Sequence, residues 1–177
     1  MASELLATYS PEDVVIVITQ GAVSHVVSGY VDGTFLTITR NVPYAELYQG
    51  SDVSNMRILR RNKAATVTVS LHNGSNSNDV FSQLQVVDEQ TANSQGLFSM
   101  QIKDTSGRSI YHANQCFIGN YPDSTFSNGA DSRDWTIVCT RLEQTIGGNA
   151  LVDPSDLASI RGLGADVPSQ WLSLIHI

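Results

Sequence analysis

Four histidines are the first residues to test for chemistry: His25, His72, His112 and His176. No two lie within four residues of each other, so the paired histidines of a helical zinc site are absent. His25 and His112 fall inside strand patterns and His72 ends one. A lone histidine in such a place is more often a satisfied sheet residue than a ligand or base. Serines are plentiful, but no GxSxG elbow presents one as a nucleophile, so pairing any of them with a histidine is arbitrary. The carboxylates are scattered. Asp131 and Asp134 flank Arg133, and Asp88 adjoins Glu89 on the solvent side of a predicted helix, with nothing marking a glycosidase-type pair. The glycines form neither GxGxxG nor a Walker loop. Cys116 and Cys139 match no zinc spacing and form no CxxC pair. Both sit in apolar strand patterns and read as buried reduced thiols, a cytosolic setting disfavouring the disulfide that spacing alone leaves open. No catalytic residue, metal ligand or cofactor site is expected, and the chain reads as a non-enzyme.

One cluster does stand out, and its chemistry is contact rather than catalysis. Arg57, Arg60, Arg61 and Lys63 place four of the ten basic residues in seven positions of a chain whose net charge is −7. Tyr44 and Tyr48 lie just before them. A solvated strand face would account for the charges. The functional alternative is a contact with an acidic patch of a neighbouring copy, where complementary charge fixes register and orientation.

The elements around these residues follow a period of two. Val67, Val69 and Leu71 alternate with Thr66, Thr68 and Ser70. Phe98, Met100 and Ile102 alternate with Ser99, Gln101 and Lys103, and Trp135, Ile137 and Cys139 with Thr136, Val138 and Thr140. Each such strand is half buried. Further strands are expected at 12–19, 23–31, 34–40 and 108–119. Asp32-Gly33, Ser106-Gly107 and Asn128-Gly129 are hairpin-type turn signals, so the sheet is expected to be antiparallel. One helix interrupts it at about 78–91. There Val80, Leu84 and Val87 form an apolar stripe with Phe81 beside it, and Ser77 or Asn78 is the expected N-cap. The predicted fold is mainly β: an antiparallel β-sandwich or partly closed barrel with one flanking helix.

Two regions stand apart from that body. Residues 41–63 read as a long projecting hairpin. Residues 150–177 read as a C-terminal extension beyond a domain at 1–149. It starts with Asp153 as N-cap and Pro154 at the first helical position, and it ends on an apolar segment, Trp171 to Ile177, expected to dock on something.

The totals narrow the function. At 177 residues the chain suits a core without staples. Only 15% of residues are charged, below the usual ~25%. Hydroxyls and amides fill the gap and can find partners across a protein interface. The acidic balance disfavours specific nucleic-acid binding. No window is apolar enough to span a membrane and no signal peptide opens the chain, so a cytosolic product is expected.

Taken in order, several stretches resemble the tail-tube proteins of long-tailed, contractile-tailed bacteriophages. They are TYSPEDV at 8–14, SGYVDGTFLTITR at 28–40, RRNKAATVTVSLHNGSNSNDVFSQL at 60–84, and IKDTSGRSIYHANQCFIGN through RDWTIVCTRLEQTIGGN at 102–149. Within them Asp32-Gly33, Arg40, Ser77-Asn78-Asp79, Gly107-Arg108 and Arg133-Asp134-Trp135 hold the family's positions. Residues 150–177 depart from the pattern. The resemblance implies a virion protein assembled in the host cytoplasm, with six copies closing into a ring and rings stacking into a tube. It implies sheath, baseplate and tape-measure proteins as partners and DNA passing through the lumen without specific binding. Six copies at −7 give −42 per ring, which keeps phosphates from adhering. The projecting hairpin suits head-to-tail contact between rings. A connector, tube-initiator or terminator ring of the same fold is the first alternative, a soluble β-barrel binding module the second, and a small hydrolase the last for want of a site.

Overall fold

The computed structural model of the chain describes residues 6–91, 93, 96–169 and 171. A 3-10 turn at Pro11–Asp13 leads into β1 (Val14–Gln20) and β2 (Val23–Val26). These are followed by β3 (Leu36–Arg40), β4 (Ala45–Gln49), β5 (Asn55–Leu59) and β6 (Ala65–His72). Helix α1 (Ser77–Gln90) precedes β7 (Phe98–Asp104), β8 (Ile110–Asn120), β9 (Ser132–Cys139), β10 (Leu142–Thr145) and α2 (Pro154–Gly162). Eight strands form one sheet in the order β2-β1-β7-β8-β9-β6-β3, with β10 pairing β8, and β4 and β5 form a separate two-stranded ribbon. The sheet is mainly antiparallel and is not closed into a barrel. Its path ends in two edges, β2 and β3.

The chain divides into two units, one comprising residues 16–101 and 112–143, the other residues up to 15 with 102–111 and 144 onwards. In the larger unit, β6 forms the centre of the alternation. Ala65, Val67, Val69 and Leu71 are fully buried. Its neighbours repeat the pattern in register: Ile38, Val67 and Ile137 lie side by side on the core face, and Thr37, Thr68 and Thr136 on the other. The alternating strands are therefore present with their faces as expected, whereas the strand expected at 23–31 stops at Val26.

Helix α1 covers the core face, rotated slightly from its predicted stripe. Ser77, Phe81 and Leu84 are its buried residues, whereas Val80 and Val87 are half buried. Phe81 packs on Trp135 with ring centroids 5.3 Å apart. The expected N-cap is corrected: Asn76 occupies that position and makes no side-chain cap. Ser77 and Asn78 are recruited by tertiary partners instead. Ser77 Oγ accepts from the Ser28 N–H at 3.0 Å and lies 2.8 Å from His25 Nε2. Trp135 Nε1 donates to Asn78 Oδ1 at 2.9 Å. A buried polar group is retained where it has partners, and these bonds tie the helix start to β2, to the segment just after it and to β9.

The Asp32-Gly33 turn is also corrected. It does not join paired strands, because β2 pairs β1 while β3 pairs β6 at the far edge. Residues 27–35 cross between the edges, and Gly29 makes the crossing possible. Its φ is +81°, and a Cβ there would lie 2.5 Å from the Ser75 Cβ. Both the backbone conformation and the space require glycine. Gly29→Ala is expected to lower stability by about 2 kcal/mol or more, read from the urea midpoint. An unchanged midpoint would show that the crossing is not so constrained.

In the smaller unit Ser106-Gly107 does close a hairpin, between β7 and β8. Asp104 accepts from the Ser106 N–H at 3.0 Å, and Asn149 Nδ2 donates to Asp104 at 2.9 Å. The C-terminal extension docks here. Asp153 caps α2 as expected, accepting from the Ser155 N–H at 2.8 Å; Leu157 is buried, and Trp171 Nε1 donates to the Arg108 carbonyl at 3.1 Å. Residues 172–177, with His176, lie outside the described residues.

Candidate assembly interface

The β4–β5 ribbon belongs to neither the sheet nor its core. Direct pairing of Leu47 with Arg57, Tyr48 with Met56 and Ala45 with Leu59 assigns each side chain to a face. Cross-strand partners share a face and neighbours alternate. One face carries Tyr44, Tyr48, Met56 and Ile58 around the Glu46–Arg60 pair. The other carries Leu47 and Leu59 with Arg57, and alternation puts Arg61 on the same side. Both faces are open: Tyr44 is 67% exposed, Leu47 64%, Tyr48 57% and Met56 56%. A lone two-stranded ribbon is marginally stable in water, and a run of exposed apolar side chains signals a contact surface.

Its tip is nonetheless well ordered by local bonds. The Gly50 N–H donates to the Ser54 carbonyl at 2.7 Å, and the Ser54 hydroxyl donates to Asp52 at 2.5 Å. The Ser54 hydroxyl and N–H hold the Asp52 carboxyl below its usual range. Val53 sits between them at φ +70°, a conformation β-branched residues rarely adopt, and is 89% exposed. Backbone strain of this sort gathers at functional surfaces.

The basic cluster divides in two. Arg60 pairs with Glu46 across the ribbon at 3.1 Å. Lys63 pairs with Glu143 at 2.6 Å, and Arg141 joins that carboxylate at 2.7 Å. Lys63 and Arg141 hold Glu143 below the usual carboxylate range. These exposed pairs contribute little stability. Arg57 and Arg61 are exposed and form no ion pair among the described residues. The structure thus brings Tyr44, Tyr48, Arg57 and Arg60 onto one ribbon, with Arg61 at its foot and Lys63 beyond it, pinned beside β10.

A groove of ≈ 730 Å³ opens at the other end of β3, β6 and β9, lined in part by Tyr30, Asp32, Ser70, His72, Asp131 and Asp134. In the sequence Asp131 and Asp134 stand out only as scattered carboxylates flanking Arg133. The His72 Nδ1 accepts the Gly74 N–H at 3.1 Å, and no bond joins its ring to a serine or carboxylate among the described residues. His112 lies 2.6 Å from Asn114 Oδ1. No cluster of histidine, cysteine and carboxylates able to hold a metal occurs among the described residues. Cys116 and Cys139 are buried free thiols facing each other across β8 and β9, Sγ to Sγ 3.2 Å. The hydrogen bond to the Cys139 sulfur, and then burial, raise the Cys116 thiol above its ordinary pKa.

The outer sheet face is a ladder of hydroxyls. Thr37, Thr68 and Thr136 stand in one row, Thr39 and Thr66 in the next, and Ser70 beside Asp134. No helix among the described residues is long and apolar enough to cross a membrane.

Comparison with known proteins agrees with this architecture. A chain of the tube-terminating cap of the anti-feeding prophage superposes with a TM-score of 0.50 at 12% identity, over 82% of this chain and 95% of that one. A chain from the extended sheath–tube complex of an extracellular contractile injection system aligns at a TM-score of 0.45 and 11% identity, over 73% and 87%. "Structural protein ORF10" of Pseudomonas phage KPP10 is 36% identical over 168 residues, covering 94% of this chain and 97% of that protein. The family model described as "Bacteriophage PhiTE tail tube protein" matches residues 6–147. The chain therefore belongs to the PhiTE-type bacteriophage tail tube family and is a structural component of a phage tail.

Proposed function

We propose that six copies of this chain close into a ring, that rings stack head to tail, and that DNA leaves through the resulting channel. The observation that carries this reading is the β4–β5 ribbon, which bears exposed apolar side chains on both faces and is left uncovered by the other described residues. Ring closure is supported by the two sheet edges, β2 and β3, which pair with no further strand among the described residues and offer their backbone groups to a neighbouring strand. In this reading Tyr44, Tyr48, Arg57, Arg60, Arg61 and Lys63 lie at or beside contacts between copies. The hydroxyl face of β3, β6 and β9 lines the lumen. Its outward positions away from the groove carry Thr37, Thr39, Thr66, Thr68 and Thr136, with no lysine or arginine among them. Phosphates meet nothing there to which they adhere. Sheath protein surrounds the tube, the baseplate meets one end, and the tape-measure protein occupies the lumen before ejection. The chain needs no cofactor and performs no catalysis in this role.

A terminating ring is the second reading, favoured by the likeness to a tube-terminating cap. Sedimentation velocity with native mass spectrometry separates the two. A tube subunit gives six-chain rings and open-ended polymers whose size grows with concentration. A terminator stops at one ring, and a chain that stays monomeric at high concentration contradicts both.

A further inference from the structure

The ribbon and the acidic groove lie at opposite ends of the same strands. β3 runs from Leu36 to Arg40 into the ribbon, and β6 returns from Ala65 and finishes at His72. The Arg40–Ala65–Cys139 end of the register therefore carries the ribbon. The His72–Ser132 end opens into the groove. At one end Arg57 and Arg61 are cations without an ion-pair partner among the described residues. At the other, Asp32 and Asp134 are exposed and likewise form no ion pair among the described residues. Asp131 stands beside them, accepting from the Ser127 hydroxyl at 3.1 Å. No lysine or arginine lines the groove. Its wall also includes Tyr30, stacked on Phe35 at 4.5 Å, an apolar surface for leucine side chains.

From this we infer that the groove bounded by Asp32, Asp131 and Asp134 is the socket for the β4–β5 ribbon of a second copy. The face bearing Leu47, Arg57, Leu59 and Arg61 enters the socket. Leucines meet the Tyr30 wall while the two arginines meet the aspartates, and the internally neutral face, with its Glu46–Arg60 pair, turns away. Donor and socket are different surfaces at opposite poles, so the contact is head to tail and generates an open linear array rather than a closed dimer. Opposite charge sets the orientation and disfavours ribbon against ribbon or groove against groove. The inference rests on the reading of the ribbon as a contact between copies and names its acceptor.

Two charge-reversed proteins test it, Arg57→Glu/Arg61→Glu and Asp32→Lys/Asp134→Lys. All four residues are exposed, so both proteins should melt like the parent, and Asp32→Asn/Asp134→Asn provides a milder version of the second. Each reversed protein alone is expected to need about tenfold more protein to form pelletable polymer, because like charges then face each other. Mixed in equal amounts they should recover, since the acidic ribbon of one fits the basic groove of the other and the reverse pair is also opposite in charge. If the groove variant polymerises as the parent does while the ribbon variant fails, the ribbon contacts some other surface and the socket is wrong. Failure of the mixture to recover overturns it as well. Normal polymerisation of the ribbon variant overturns the arginine contact and separately weighs against the ribbon reading itself.

Discussion

Leu84→Asp is expected to leave the chain unfolded, with loss of the far-ultraviolet strand signal and no assembly. Leu84 lies on the buried stripe of α1 one turn beyond Phe81, which packs on Trp135. No basic residue on α1 can pair with the carboxylate, and burying it uncompensated costs several kcal/mol. Whole-domain stability is only about 5–15 kcal/mol. Leu84→Ala gives the graded comparison, losing about 2–4 kcal/mol through lost burial and a residual cavity. A Leu84→Asp chain that melts near the parent would show that the helix does not cover the core.

Replacing residues 43–61 by two glycines should have the opposite signature, a folded chain that no longer polymerises. The ribbon forms its own two-stranded sheet. Beneath it β3 and β6 already meet, with the Asn41 N–H donating to the Ala64 carbonyl at 3.1 Å and Arg40 Nη1 to the Lys63 carbonyl at 2.9 Å. A short turn can therefore join them without disturbing Lys63, Glu143 or the core. What is removed is the apolar surface of Tyr44, Leu47, Tyr48, Met56 and Leu59 together with Arg57 and Arg61. Circular dichroism should change little, and pelletable polymer should be lost. Polymer of normal length from the shortened chain would remove the ribbon from the contact between copies.

Wild-type polymer should also loosen as salt rises, because exposed charges more than about 8 Å apart are screened at physiological ionic strength. The leucine and tyrosine contacts do not share that dependence, so the effect should be partial.

Much of this was legible in the residues, for reasons that differ by element. β6 and β9 announce themselves because one face is fully buried and the other is threonine and serine, so the alternation is unbroken. The helix was legible because polar cap residues precede an apolar stripe. Its capping was not, since His25 and Trp135 compete for Ser77 and Asn78 from far along the chain. The Asp32-Gly33 signal misled because turn chemistry reports a local bend and not which strands pair across it. Likewise the six residues at 44–63 were visible as a group, but not that Glu46 and Glu143 neutralise Arg60 and Lys63. That division depends on strand register. The groove was invisible for the same reason, its aspartates being separated by roughly a hundred positions.

Electron microscopy of the purified full chain tests the central claim most directly. The account predicts tubes of stacked rings, six subunits per ring, with the β4–β5 ribbon of each subunit seated in the Asp32–Asp131–Asp134 groove of a subunit in the adjoining ring. Fields of single subunits at concentrations that polymerise other tube proteins, or tubes whose ribbons lie free in solvent, would contradict it.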